Sequence, residues 1–180
     1  MKQLFYIALV LFIFQGNAQP KYEEIELSSG STFLLGEITA DHLTSMPYQK
    51  WYTTNFDSYA VDMRLVKLFD TKLREHEILL FLGTWCGDSK REVPRVLKIL
   101  EAANFPKEQL RIVALDRRKD NYKKGLHGEE KGWDIKRVPT LILLKNGTEV
   151  NRIVERPVDT LEEDLLAILS NTTYTPNYAN

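Results

Sequence analysis

The chemistry open to this sequence turns on one cysteine. Cys86 lies in Trp85-Cys86-Gly87-Asp88-Ser89, directly after the apolar run Ile78 to Gly83 and ahead of a segment with helical spacing. A thiol where a strand passes into a helix meets that helix's unpaired N–H groups and the positive end of its macrodipole. Both favour the thiolate, which is the nucleophile of disulfide exchange. A buried, inert thiol is the common alternative for this residue; the strand-to-helix position and the neighbouring Gly87 argue for a reactive one. A lone cysteine cannot close an intramolecular disulfide, so a disulfide framework and a multi-cysteine zinc site are both excluded. His42, His76 and His127 are scattered, and no metal site is expected.

The elements that must position Cys86 are legible from Val61 onward. Val61, Leu65, Leu68, Phe69 and Leu73 recur at spacings of three and four, which predicts an amphipathic helix. Ile78 to Gly83 reads as a buried strand. Val93, Val96, Leu97 and Leu100 return to helical spacing, and residues 111–116 read as a second strand. The charged stretch from Asp116 to Asp120 reads as a solvated loop, and Glu129–Trp133 is expected to be helical. Residues 140–145 and 148–155 flank Asn146-Gly147, the strongest short signal for a β-hairpin. Leu161, Leu165, Leu166, Ile168 and Leu169 form a closing helical face, with Thr160 and Glu163 as a capping box. Strand–helix–strand order demands a parallel pair with a right-handed crossover. The expected architecture is therefore α/β, a central mixed β-sheet flanked by helices. Residues 19–60 are the least legible part; Thr39 and Pro47 start short helices there, so a helical extension packed on the domain is expected.

The 24 Lys and Arg balance 25 Asp and Glu, for a formal net charge of -1. That balance gives no electrostatic reason to expect nucleic acid or an anionic membrane surface as partner. Lys2, the unbroken apolar run Leu4 to Phe14 and the pair Gly16, Ala18 form the three-part pattern of a secretory signal, with cleavage expected after Ala18. The apolar run is shorter than the roughly 20 residues of a spanning helix. The domain plan is a signal peptide at 1–18, an extension at 19–60 and the main domain at 61–175. An exported, periplasmic or secreted monomer is expected, touching a membrane only through its signal peptide.

The strand with Thr84-Trp85-Cys86-Gly87, Pro94 eight residues after the cysteine, Val138-Pro139-Thr140 before the third strand, and Lys145-Asn146-Gly147 at the hairpin resemble the thioredoxin family. The resemblance spans residues 76–171, and the string WCGDSKREVP is similar to exported bacterial members. It implies a thioredoxin-like fold, a cis bond before Pro139 with its backbone beside Cys86, and client contacts from Trp85, Gly87, Asp88 and Val138. No cofactor is implied.

The departures carry equal weight. Ser89 stands where the family has its second cysteine, Asp88 where it has a proline, and Leu80 where it has a buried acid. Ser89 could hydrogen-bond the Cys86 thiolate but cannot resolve a disulfide. The expected machinery is thus Cys86, Ser89 and Pro139, acting in monothiol exchange or isomerisation on cysteine-containing exported proteins or a redox partner. The competing reading is a redox-inactive binding or chaperone module that uses the same groove. C-G-x-S also resembles monothiol glutaredoxins, but the Gly-Gly turn after their last strand is absent from residues 152–157. A peroxiredoxin would need Thr or Ser where this chain has Gly83.

Overall fold

Continuous apolar runs pair into strands here because both of their faces find cover. The computed structural model describes residues 19–179; the expected signal segment lies outside the described residues. In chain order the elements are β1 (Tyr22–Glu26), β2 (Thr32–Ile38), α1 (Ala40–Leu43), α2 (Gln49–Ser58), α3 (Met63–Leu73), β3 (Glu77–Leu82), α4 (Gly87–Ala102), β4 (Leu110–Ala114), β5 (Thr140–Lys145), β6 (Thr148–Val154) and α5 (Leu161–Leu169). The strands form one sheet in the order β1-β2-β4-β3-β5-β6. β3 and β4 pair in parallel, as their crossover through α4 requires. The other neighbours are antiparallel.

β3 lies at the centre and is buried from Ile78 to Leu82. Its side chains alternate between two cores. Ile78, Leu80 and Leu82 join the larger one with Leu43, Tyr52, Phe69, Val93, Leu97 and Leu165 from the five helices. Leu79 and Phe81 join the smaller one with Val113, Leu115, Val138 and Ile142, where Trp133 and Ile135 close the cover. Burial of both faces explains why β3 and β5 carry no polar alternation. The hairpin falls at Asn146 and Gly147, with φ of 53° and 75°, the doubly left-handed geometry that Asn-Gly favours. At α5, Thr160 Oγ1 accepts from the Glu163 N–H and donates to its carboxylate.

Four expectations need revising. Residues 19–60 are more than a helical extension, because β1 and β2 widen the sheet and β2 pairs directly with β4 through Gly36–Ala114 and Ile38–Ile112. The apolar run Phe33-Leu34-Leu35 stops at Gly36, which has φ of 99° and where a Cβ would lie 2.5 Å from the Lys21 carbonyl oxygen. That close approach needs a glycine and hides the strand pattern. Residues 129–133 form turns and not a helix, since Gly128 and Gly132 bracket them at φ of 84° and 86°. Leu68 points to solvent, and Val66 takes its place in the core. Asp116, read as solvated, is 1% exposed; it accepts from the Arg118 backbone and guanidinium.

Candidate active site

The loop from Gly83 to Cys86 joins β3 to α4 and is held from three sides. The Cys86 N–H donates to the Gly83 carbonyl at 2.8 Å, closing a tight turn. Thr84 is buried and its hydroxyl accepts from the Leu34 N–H at 3.1 Å, so β2 braces the loop. Trp85 donates from Nε1 to the Leu115 carbonyl at 2.9 Å, which fixes the indole against the end of β4. The indole lies across Gly83, where a Cβ would come within 2.6 Å of the ring. Any larger residue at position 83 would displace the tryptophan.

Cys86 is the N-cap of α4, with extended backbone at φ −87° and ψ 131°. Its carbonyl accepts the Lys90 N–H, so the helix begins directly behind the sulfur. The thiol is half-buried, and Sγ donates to the Val138 carbonyl oxygen at 3.2 Å. Val138 and Pro139 are buried, and the bond between them is cis. The Pro139 carbonyl accepts the Glu155 N–H at 2.7 Å, which anchors this segment to the end of β6. Gly87 is exposed, with no atom within 4 Å of where a Cβ would stand, so the surface beside the sulfur is open.

Ser89 occupies a different position from that expected of a thiolate partner. It is 0% exposed, and its hydroxyl oxygen accepts the Gly83 N–H at 3.1 Å. The hydroxyl therefore ties the helix start to the end of β3. Asp88 is engaged by Arg91 at 2.7 Å, which offsets its negative charge beside the sulfur. Arg91 also meets Glu92 at 2.5 Å, and these two carboxylates hold its pKa above the usual arginine value, Glu92 contributing most. Leu80, in the place of the family's buried acid, is fully buried within the larger core.

Several residues around the site have no signal in sequence spacing. Tyr122, 51% exposed, packs against Trp85 at 5.2 Å between ring centroids. Lys123 follows it, and its backbone N–H donates to Asp116. Burial first, and Arg137 second, hold the Lys123 ammonium's pKa below the usual lysine range, while Cys86 and Glu155 pull it the other way. Arg137 lies 3.6 Å from the Glu155 carboxylate. A polar, glycine-containing segment with no period gives no warning of these placements; only the fold brings their segments together beside the Cys86 loop.

A cysteine at a strand-to-helix turn, faced by an X–Pro segment that opens the next strand of a mixed sheet, defines a thioredoxin-fold protein. The chain belongs to the thioredoxin family: the family model described as Thioredoxin matches residues 41–166. A thioredoxin H-type from Populus jackii is 27% identical over 100 residues, 54% of this chain and 65% of the relative, so the match spans less than two thirds of that protein's length. Among solved structures, a protein of unknown function from Pseudomonas aeruginosa is 15% identical, with a TM-score of 0.48 over 68% of this chain and 84% of its own. A Fasciola hepatica thioredoxin is 18% identical, with a TM-score of 0.37 over 61% of this chain and 91% of its own. Fold and family support a thiol-redox type of function.

Proposed function

We propose that this protein carries out thiol–disulfide exchange through Cys86 alone, on disulfides of exported proteins. The observation that carries this reading is the pairing of a reachable thiol at the start of α4 with a buried, structurally engaged hydroxyl at position 89. The Cys86 thiolate attacks one sulfur of a client disulfide. The client S–S bond breaks, a Cys86–client S–S bond forms, and the other client sulfur leaves as a thiolate that takes up a proton. A second thiol, from the client or from solution, then attacks the mixed disulfide and Cys86 departs as thiolate. The protein ends as it began, so the net result is isomerisation, or reduction driven by the external thiol.

The first turn of α4, directly behind the sulfur, presents its unpaired N–H groups to the departing Cys86. The Asp88–Arg91 pair keeps a carboxylate from cancelling their effect. Pro139 holds the Val138 carbonyl against the sulfur, and Trp85 and Gly87 flank the open side where a client segment would lie. Ser89 is assigned to holding the loop.

The test is capture of mixed disulfides by acid quench and mass spectrometry. Wild type is expected to form adducts with disulfide-bearing proteins, and Cys86→Ser to form none. If Cys86→Ser binds the same clients as tightly and wild type forms no covalent adduct, the protein is a binding module. Export is proposed from the first 18 residues. Protein recovered from an exporting host is expected to begin at Gln19; a chain still beginning at Met1 would refute it.

A further inference from the structure

Four charged side chains stand on the segments that meet at Cys86, one on each. Asp88 on α4 is taken by Arg91. Glu155, after β6, is taken by the Tyr178 hydroxyl, with Arg137 at 3.6 Å. Arg137 directly precedes Val138, whose carbonyl meets the sulfur; its side chain is 51% exposed, with the guanidinium 4.9 Å from the Tyr178 ring centroid. Lys123 comes from the segment after β4. Its ammonium donates to the Lys136 carbonyl and lies 5.0 Å from the Tyr122 ring centroid, and it makes no ion pair with a carboxylate among the described residues. Tyr122 leans on the fixed Trp85 indole. The ammonium is thus held on the Lys136 carbonyl, two residues before Val138, whose own carbonyl meets the sulfur. Both acids, Asp88 and Glu155, already have partners, whereas of the two cations only Arg137 has a carboxylate, Glu155, among the described residues.

We infer that Cys86 selects disulfides that carry a carboxylate close to the attacked sulfur, which Lys123 receives with Arg137 beside it. This rests on the exchange reading above and names the substrate class. The same cations stabilise the leaving thiolate, so the selection acts on the step in which the client S–S bond breaks and the Cys86–client bond forms. The shared chemistry is a carboxylate next to a disulfide, whether in a small acidic disulfide or in an acidic protein segment.

The experiment measures mixed-disulfide formation by the folded full chain with three symmetric disulfides: those of 3-mercaptopropionate, 2-mercaptoethanol and cysteamine. Each rate is normalised to that of the urea-unfolded chain, which removes intrinsic reactivity. The anionic disulfide is expected to react about tenfold faster than the neutral one at low salt and the cationic one more slowly, with the spread closing at about 1 M salt. Lys123→Gln should reduce the anionic-to-neutral ratio by about threefold or more, and Lys123→Arg should restore it. Lys107→Gln, on the exposed turn before β4, should leave the ratio unchanged. A cystine peptide flanked by Glu, compared with its Gln counterpart, separates the two sources. Preference for the Glu peptide assigns acidic protein segments, and preference confined to the small disulfide assigns a small acidic ligand; either upholds the carboxylate. Equal normalised rates, or a ratio untouched by Lys123→Gln, overturn the inference while exchange at Cys86 stands. If the folded chain forms no mixed disulfide with any of the three, the exchange reading falls and the inference falls with it.

Discussion

Ser89→Ala separates two roles for one hydroxyl. The Ser89 Oγ is fully buried and accepts the Gly83 N–H at 3.1 Å. Gly83 is buried as well, so alanine leaves a backbone donor without its acceptor, at about 1–3 kcal/mol. Alanine's better helix propensity returns a few tenths of a kcal/mol in the first turn of α4. The net loss should be about 1–2 kcal/mol. For a chain of this size each kcal/mol moves the midpoint about 2–4 °C, so the melting temperature should fall by roughly 2–8 °C. Urea unfolding should show a lower midpoint with an unchanged slope. Cys86 alkylation in the folded state should stay within about twofold of wild type, because the hydroxyl binds the loop and not the sulfur. Full wild-type stability together with a several-fold change in alkylation rate would refute this, and would return Ser89 to the role of a thiolate partner.

Three further predictions follow from contacts of the same kind. Thr84→Val removes the acceptor of the Leu34 N–H and should cost about 1–3 kcal/mol in urea unfolding; an unchanged midpoint would mean that β2 does not brace the loop. Stability should fall in alkali: the Tyr52 phenol is pushed up to about 12, by burial most and then by Glu101 and Asp41, and Tyr48, Tyr59 and Tyr174 are raised chiefly by burial too. Their stabilisation is whole below the unfolded value of about 10 and is lost as pH rises through the folded values, by about 1.4 kcal/mol per pH unit for each phenol; Tyr52→Phe should flatten the slope measured in urea melts between about pH 10 and 12, and an unaltered slope would count against it. Ser89→Cys should close a disulfide with Cys86, one helical turn apart on a shared face, and gain some insulin-reductase activity; two free thiols by mass-tagging after oxidation would remove the C-x-x-C geometry from the site.

What the sequence disclosed follows the physics of each segment. β3, β4, β5, α4 and α5 are carried by uninterrupted apolar runs or by clean three-and-four spacing, and all form. The Asn146-Gly147 turn is legible because two consecutive left-handed residues have few other solutions. β1 is not, because Tyr22–Glu26 is almost wholly exposed and carries three glutamates, so no apolar face marks it. It exists because its register with β2, from Tyr22–Gly36 to Glu26–Thr32, satisfies the backbone. Cys86 and Val138-Pro139 were accessible from motif and order, and the fold joins them. Tyr122, Lys123, Arg137 and Glu155 were not, since their places depend on which loops meet near the sulfur, and loop meeting has no period to read.

The absence of a second thiol is built into the packing around Cys86. Position 89 is enclosed, and its oxygen is already used by Gly83. Leu80 fills its place beneath the helix with apolar volume and no proton acceptor. A dithiol site must eject its client from within, by a second thiolate that attacks the mixed disulfide. In the exchange proposed above, that attack would come from outside, and the lifetime of the covalent complex would be set by the client's own thiols or by the concentration of a free one. The charges around the sulfur then act in both directions, because a group that favours the incoming client's leaving thiolate also favours Cys86 as the leaving group. Under that proposal the site would hold its client until another thiol arrived, which suits rearranging disulfides better than reducing them. In the proposed exchange the second thiol would approach over the open surface at Gly87, beside the indole that the Leu115 carbonyl fixes.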